Sequence, residues 1–200
     1  SAANAVISIE AVTPGTAFTI SGNAVNGSGG TNDQTITIAT PQANVAAVAE
    51  VRATATITIN GGVDGVISSV MLGAVQLIGA NVQWKATNDA TAVRLAQAIN
   101  SQSAVSHYTA AVVGNVVTIS AATGTGATPN GTALTVVTAG DIAVTAAATL
   151  VGGVTAVAAV AQISTVKFGG TFDAVDTFTV TLNSVDYKAT GLASGTGRSL

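Results

Sequence analysis

The chain contains no cysteine, which excludes disulfides and thiolate metal sites and leaves packing and hydrogen bonds to hold the fold. Charge is almost as scarce. Asp, Glu, Lys and Arg together make up 8% of the 200 residues, against roughly 25% in an ordinary soluble domain. So few ionisable groups leave little material for acid–base chemistry, and no enzymatic activity and no cofactor are expected. The formal net charge of −3 is too small to steer the chain toward nucleic acid or an anionic membrane, and Lys and Arg never cluster. Aromatics are 4%, with Trp84 the sole tryptophan. The chain opens without a basic segment followed by a compact apolar run, so no signal peptide is read there.

The uncharged stretch from Ile142 to Val166 is long enough to raise a membrane helix. Its counterpart earlier in the chain contains Pro41, Gln42, Asn44 and Glu50, which do not belong in lipid. The segment is also rich in Thr, Val and Gly. Strands suit it better, and no membrane span is expected.

What the chain does contain is repetition. Val45-Ala-Ala-Val-Ala-Glu-Val51 returns as Val157-Ala-Ala-Val-Ala-Gln-Ile163, and each copy then reaches a glycine pair, Gly61-Gly62 or Gly169-Gly170. Asp64 answers Asp173, Val70 to Val75 answers Val180 to Val185, and Trp84-Lys-Ala-Thr87 answers Tyr187-Lys-Ala-Thr190. Asn4 to Ile9 matches Asn115 to Ser120. The period is about 110 residues, the size of one small domain. Residues 1–50 then form the closing part of one repeat, 51–155 a complete repeat, and 156–200 the opening part of another.

The expected fold is mainly β, of the α+β kind: tandem small sheet domains with one short helix each. Val51, Ala53, Ala55, Ile57 and Ile59 alternate with polar residues, marking a half-buried strand. A second strand pair runs from Ile67 to Ile78 and pivots near Gly73. A helix over 89–100 starts from cap candidates Thr87, Asn88 and Asp89 and ends at Asn100-Ser101. Strands on either side of Gly114-Asn115 form a two-residue hairpin, and a Gly-rich loop, Thr123 to Gly131, precedes two more strands. The core should hold Ile57, Ile59, Leu95, Ile99, Val117 and Ile119. Trp84 and Tyr187 are expected at equivalent core positions.

The run Ile57-Thr-Ile-Asn-Gly61, the segment Asn88 to Asn100 ending in Ala-Ile-Asn, and the string Tyr108 to Gly124 resemble β-rich modules of bacteriophage tail and other virion proteins. A helix ending in Ala-Ile-Asn followed by such a hairpin is similar to flagellin and hook-associated proteins. The resemblance covers about residues 51–154. It implies a virion or exported structural role and carries over no catalytic residue.

Individual candidates are few. His107 is the only histidine and reads as a solvated loop residue. The Gly-rich loop lacks the terminal Lys-Ser/Thr of a phosphate-binding loop and reads as a β-loop. Asn26 and Asn130 each begin an Asn-Gly-Ser/Thr glycosylation pattern, but Asn-Gly is also a turn dipeptide, and turn chemistry is the preferred reading. Asp33, Asp64 and Asp89 lack the spacing of a calcium loop. Lys85, Lys167 and Lys188 read as exposed lysines; nothing in the sequence singles out an Asn partner for an isopeptide crosslink.

The leading expectation is a structural segment of a virion appendage, tail or fibre, or of an extracellular filament, located in the virion or at the cell surface. Its expected partners are copies of itself and other virion or filament proteins. The alternative is a glycan- or receptor-binding module of an adhesin or phage fibre. The incomplete terminal pieces suggest head-to-tail contact, the closing strands of one copy pairing with the opening strands of the next. Arg198-Ser-Leu200 falls where Arg94-Leu95 places the helix.

Overall fold

A computed structural model describes residues 5–27, 34–170 and 175–190. The chain is mainly β. In order, its elements are β1 (Val6–Glu10), β2 (Ile20–Val25), β3 (Thr35–Gln42), β4 (Thr54–Gly61), β5 (Val66–Leu72), β6 (Val75–Gln76), β7 (Val82–Gln83), α1 (Asn88–Ser101), α2 (Ser103–Ser106), β8 (Thr109–Val113), β9 (Val116–Ser120), β10 (Leu134–Ala139), β11 (Ala143–Ala146), β12 (Ile163–Gly169), β13 (Thr177–Leu182) and β14 (Val185–Thr190). They divide into two compact units: a contiguous central unit, 48–157, and a terminal unit made of 1–47 together with 158–200.

The central unit has two antiparallel sheets, β11-β4-β9-β8 and β10-β5-β6, with β7 also paired to β5. Alternation along β4 sends Ala55, Ile57 and Ile59 into the core. Helix α1 begins where Thr87 accepts a hydrogen bond at Oγ1 from Ala90 N (3.1 Å). It turns Ala92, Leu95, Ala96 and Ile99 inward, at the spacing that keeps one face of a helix apolar. All six residues expected in the core, Ile57, Ile59, Leu95, Ile99, Val117 and Ile119, are fully buried. The Gly114-Asn115 hairpin is present with Val113 opposite Val116, and Gly114 takes a positive φ of 56° as the first turn residue.

The terminal unit repeats this scaffold with strands from the two ends of the sequence. Its sheets are β1-β12-β3 and β14-β13-β2. β12 stands where β4 stands in the central unit, flanked by β1 and β3 as β4 is by β9 and β11. Between the two sheets Phe168 and Phe178 meet edge to face at 5.3 Å. The three consecutive pieces expected from the sequence are therefore two units. The strand pairing expected between neighbouring copies is made within one chain, since both neighbours of β12 come from residues 1–47.

The cause lies where the central unit begins and ends. Val48 and Val157 exchange backbone hydrogen bonds of 2.9 and 3.0 Å, and so do Val51 and Val154 at 3.0 and 2.8 Å. The closure entropy of the intervening segment is met when the central unit folds, so the flanking segments leave side by side and pair at high effective concentration. These rungs recur every third residue, not every second: Thr54 with Val151, Val51 with Val154, Val48 with Val157 and, in the terminal unit, Val45 with Val160. Val51, expected on the buried face of a strand, belongs to this ladder and is 50% exposed.

Tyr187 also departs from expectation. It lies on β14, 59% exposed, whereas Trp84 packs against the central core. The β13–β14 turn places Asn183 and Ser184 at φ 48° and 67°, with Leu182 opposite Val185. This is a two-residue turn with both central residues left-handed, for which Asn-Gly is the favoured pair. Ser184→Gly should raise stability by about 0.5–1 kcal/mol, the left-handed strain of a side chain less the entropy of glycine. Urea denaturation would show a higher midpoint at unchanged slope; a lower midpoint would contradict the turn geometry.

Candidate functional site

The Gly-rich loop is an anion cradle already filled by the protein's own carboxylate. Gly124 N and Gly126 N donate to Glu50 Oε1 at 2.7 and 2.9 Å. Successive backbone N–H groups converging in this way form a nest for negative charge. The Gly124 and then the Gly126 hydrogen bonds hold the Glu50 carboxyl below its ordinary range; the charge of Arg52 adds to this, and partial desolvation opposes it. Because the folded pKa is lowered, the contribution of Glu50 is complete above the unfolded value, roughly 4.3, and is lost as pH falls through the folded value. Glu50→Gln should therefore flatten the acid limb of a stability-versus-pH curve for the central unit below about pH 5. An acid limb with the same slope in both proteins would rule the cradle out as its cause.

Gln162 holds the position of Glu50 in the other copy of the valine motif. Its Oε1 accepts from Phe18 N (3.1 Å), and its Nε2 donates to Phe18 O (2.9 Å) and to Ser164 Oγ (3.2 Å). The two matched motif positions both tie a loop to the strand segment, but they do not occupy the same place in the scaffold: Gln162 O accepts from Ala11 N as Ala53 O accepts from Ala121 N, so Gln162 stands where Ala53 does. Sequence reasoning missed both. The available signal was that each is the one long polar side chain in a run of Val and Ala.

Asn130 is also a tie. Its Nδ2 donates to Gly153 O and its Oδ1 accepts from Gly153 N, both at 2.9 Å, so the side chain imitates one step of a strand pair. The geometry gives Asn130 a loop-closing role. Asn26 follows β2 and is half-buried; the Ser28 that completes its glycosylation pattern lies outside the described residues, as do Asp33, Asp173 and Arg198–Leu200. Asn100 closes the Ala-Ile-Asn run by gripping β8: Nδ2 donates to Ala110 O (2.8 Å) and Oδ1 accepts from Ala110 N (2.7 Å). The motif is thus a packing device, Ile99 filling the core while Asn100 fixes the next strand.

The remaining candidates stand apart from one another. His107 is exposed and ends α2 in the left-handed region at φ 63°, a conformation for which His is more suited than most side chains. Asp64 Oδ1 accepts from Asp141 N (3.3 Å), and Asp89 lies in the first turn of α1. Lys85 and Lys167 are exposed, and Lys188 lies 3.9 Å from Asp186 on the surface. Among the described residues, no group of His, Asp and Glu is arranged to hold a metal ion.

One concavity has polar walls. A shallow cleft of about 570 Å³ lies between the β6–β7 connection and α1, where Asn81, Gln83, Arg94, Ser101 and Gln102 offer amide, hydroxyl and guanidinium groups. Gly79 also lines it; an added Cβ there would stand 2.6 Å from Gln102 Nε2, so the Gln102 side chain would have to swing aside. These groups can bind hydroxyl or carboxylate oxygens and supply no nucleophile–base pair.

Searches of family models, of curated proteins and of solved structures found nothing that matches the chain.

Proposed function

We propose that the chain is a structural segment of a virion appendage, tail or fibre, or of an extracellular filament, acting at the virion or cell surface. The observation that carries this reading is that one β scaffold is built twice, from contiguous residues and again from two distant segments, with its polar side chains spent on internal ties. Glu50, Asn100, Asn130 and Gln162 all bond to backbone within their own unit. Contacts with copies of itself and with other appendage proteins would run through exposed strand edges, since the terminal strands are already paired within the chain. The test is sedimentation and negative-stain electron microscopy over a concentration series, with limited proteolysis alongside. Ordered self-association and slow cleavage are expected. A monomer at every concentration that is also cut quickly would overturn the proposal.

The polar cleft favours a second reading, a glycan- or receptor-binding module. Arg94 and the amides of Asn81, Gln83 and Gln102 would then contact an acidic sugar. Binding of sialylated or uronic-acid glycans on an array, lost in Arg94→Ala, would select it; an array without hits would remove it.

A further inference from the structure

The two units share a scaffold but differ in what covers it. In the central unit Asn115 O accepts from Ile59 N and Ala121 N donates to Ala53 O, both at 3.0 Å, so β9 bonds to β4 through residues 115, 117, 119 and 121. β1 bonds to β12 in the same pattern, with Ala5 O accepting from Phe168 N at 3.0 Å and Ala11 N donating to Gln162 O at 2.9 Å. Ala5, Ile7, Ile9 and Ala11 therefore correspond to Asn115, Val117, Ile119 and Ala121, one residue out of step with the expected match of Asn4–Ile9 to Asn115–Ser120, because the backbone bonding and not the residue types sets the register. In an antiparallel strand the alternate residues turn both N–H and C=O toward the opposite side. On β9 those residues are Val116, Thr118 and Ser120, and β8 satisfies them, with Val113, Ala111 and Thr109 opposite. On β1 they are Val6, Ser8 and Glu10. Among the described residues no strand stands opposite them.

The apolar face differs in the same way. Helix α1 packs on β4, β8 and β9, where Ile57, Ile59, Val117 and Ile119 are fully buried. Of their counterparts in the terminal unit, Val166 is buried, while Ile7, Ile9 and Phe168 are only half-buried. The described residues of that unit include no helix.

From this correspondence we infer that the β1 edge and the face beside it form a docking site that accepts a helix–strand segment of the α1–β8 kind, as presented by residues 86–113 of a second copy of this chain. The central unit specifies the chemistry of that segment. It needs a capped helix with aliphatic residues four apart, as Leu95 and Ile99 are, an Asn at the helix end to fix the strand, and an alternating strand that adds antiparallel to β1. The inference goes beyond the filament reading, because a chain that never polymerised would still present this edge.

The test uses the whole chain and a fluorescent peptide with the sequence of residues 86–113. Anisotropy should show saturable binding, and the amides of Val6, Ser8 and Glu10 should exchange more slowly in the complex, with those of β9 unchanged. Ser8→Pro removes an outward N–H and no bond to β12, as tolerated on an edge strand, and should weaken binding about tenfold at unchanged melting temperature. A peptide carrying Leu95→Asp, which leaves the protein untouched, should not bind. The inference fails if binding is absent, if Ser8→Pro or the Leu95→Asp peptide binds as well as its parent, or if protection appears in the central unit while the β1 amides exchange freely.

Discussion

Leu95→Ala is expected to destabilise the central unit by about 2–5 kcal/mol, the range for emptying a fully buried leucine site. The upper part of that range is the appropriate one. Leu95 sits mid-helix between Ala92 and Ile99, with β4, β8 and β9 all packed against α1, so the surroundings can do little to close the cavity. Trp84, the sole tryptophan and packed against the same core, reports the transition directly by fluorescence. Because the chain has two units, the measurement concerns that transition and not a global midpoint. A loss below about 1 kcal/mol would mean that α1 is not docked as described.

Gly126→Ala should cost a similar amount for a different reason. Gly126 has φ 51°, where a side chain adds about 1–2 kcal/mol of strain. A Cβ there would also stand 2.6 Å from Thr155 Cα, adding about 1–3 kcal/mol of overpacking. The combined loss is about 2–5 kcal/mol. Gly124→Ala is the matched control: its φ is 87° but its Cβ would meet nothing within 4 Å, so only the strain should register. Equal losses at the two positions in denaturant titrations would show that the loop does not press against the segment holding Thr155.

Much of the scaffold was legible because it rests on local patterns. Alternation along β4, the 3.6-residue spacing of Ala92, Leu95, Ala96 and Ile99, and the Gly114-Asn115 turn each act over a few residues, and each appears where expected. The valine ladder was not legible, since its period of three matches neither a helix nor a pleated strand; Val51 was assigned to a strand face on that account. Nor could repeat arithmetic show which strand pairs with which. The same sequences can pair within a chain or between chains, and the bonds joining Val48 to Val157 decide between them. At the candidate site, Asn130 was found through its turn dipeptide. Glu50 was not, because the donors that fix it lie in a loop 74 and 76 residues away.

The insertion of one unit into the other sets an order in which the molecule must yield to tension. A pull applied at Val6 and Thr190 loads β1 and β14 first, and the covalent path to Val48 and Val157 runs only through the terminal unit. Once those sheets part, the ladder opens rung by rung, each step releasing three residues from each strand and breaking one pair of hydrogen bonds. Only the Val45–Val160 rung belongs to the terminal unit; the next three, from Val48–Val157 to Thr54–Val151, are the entry of the central unit and are the first part of it to take the load. Under stress the chain behaves as a fuse in series with a reserve: the terminal unit gives way and lengthens the molecule while the unit containing α1 stays folded.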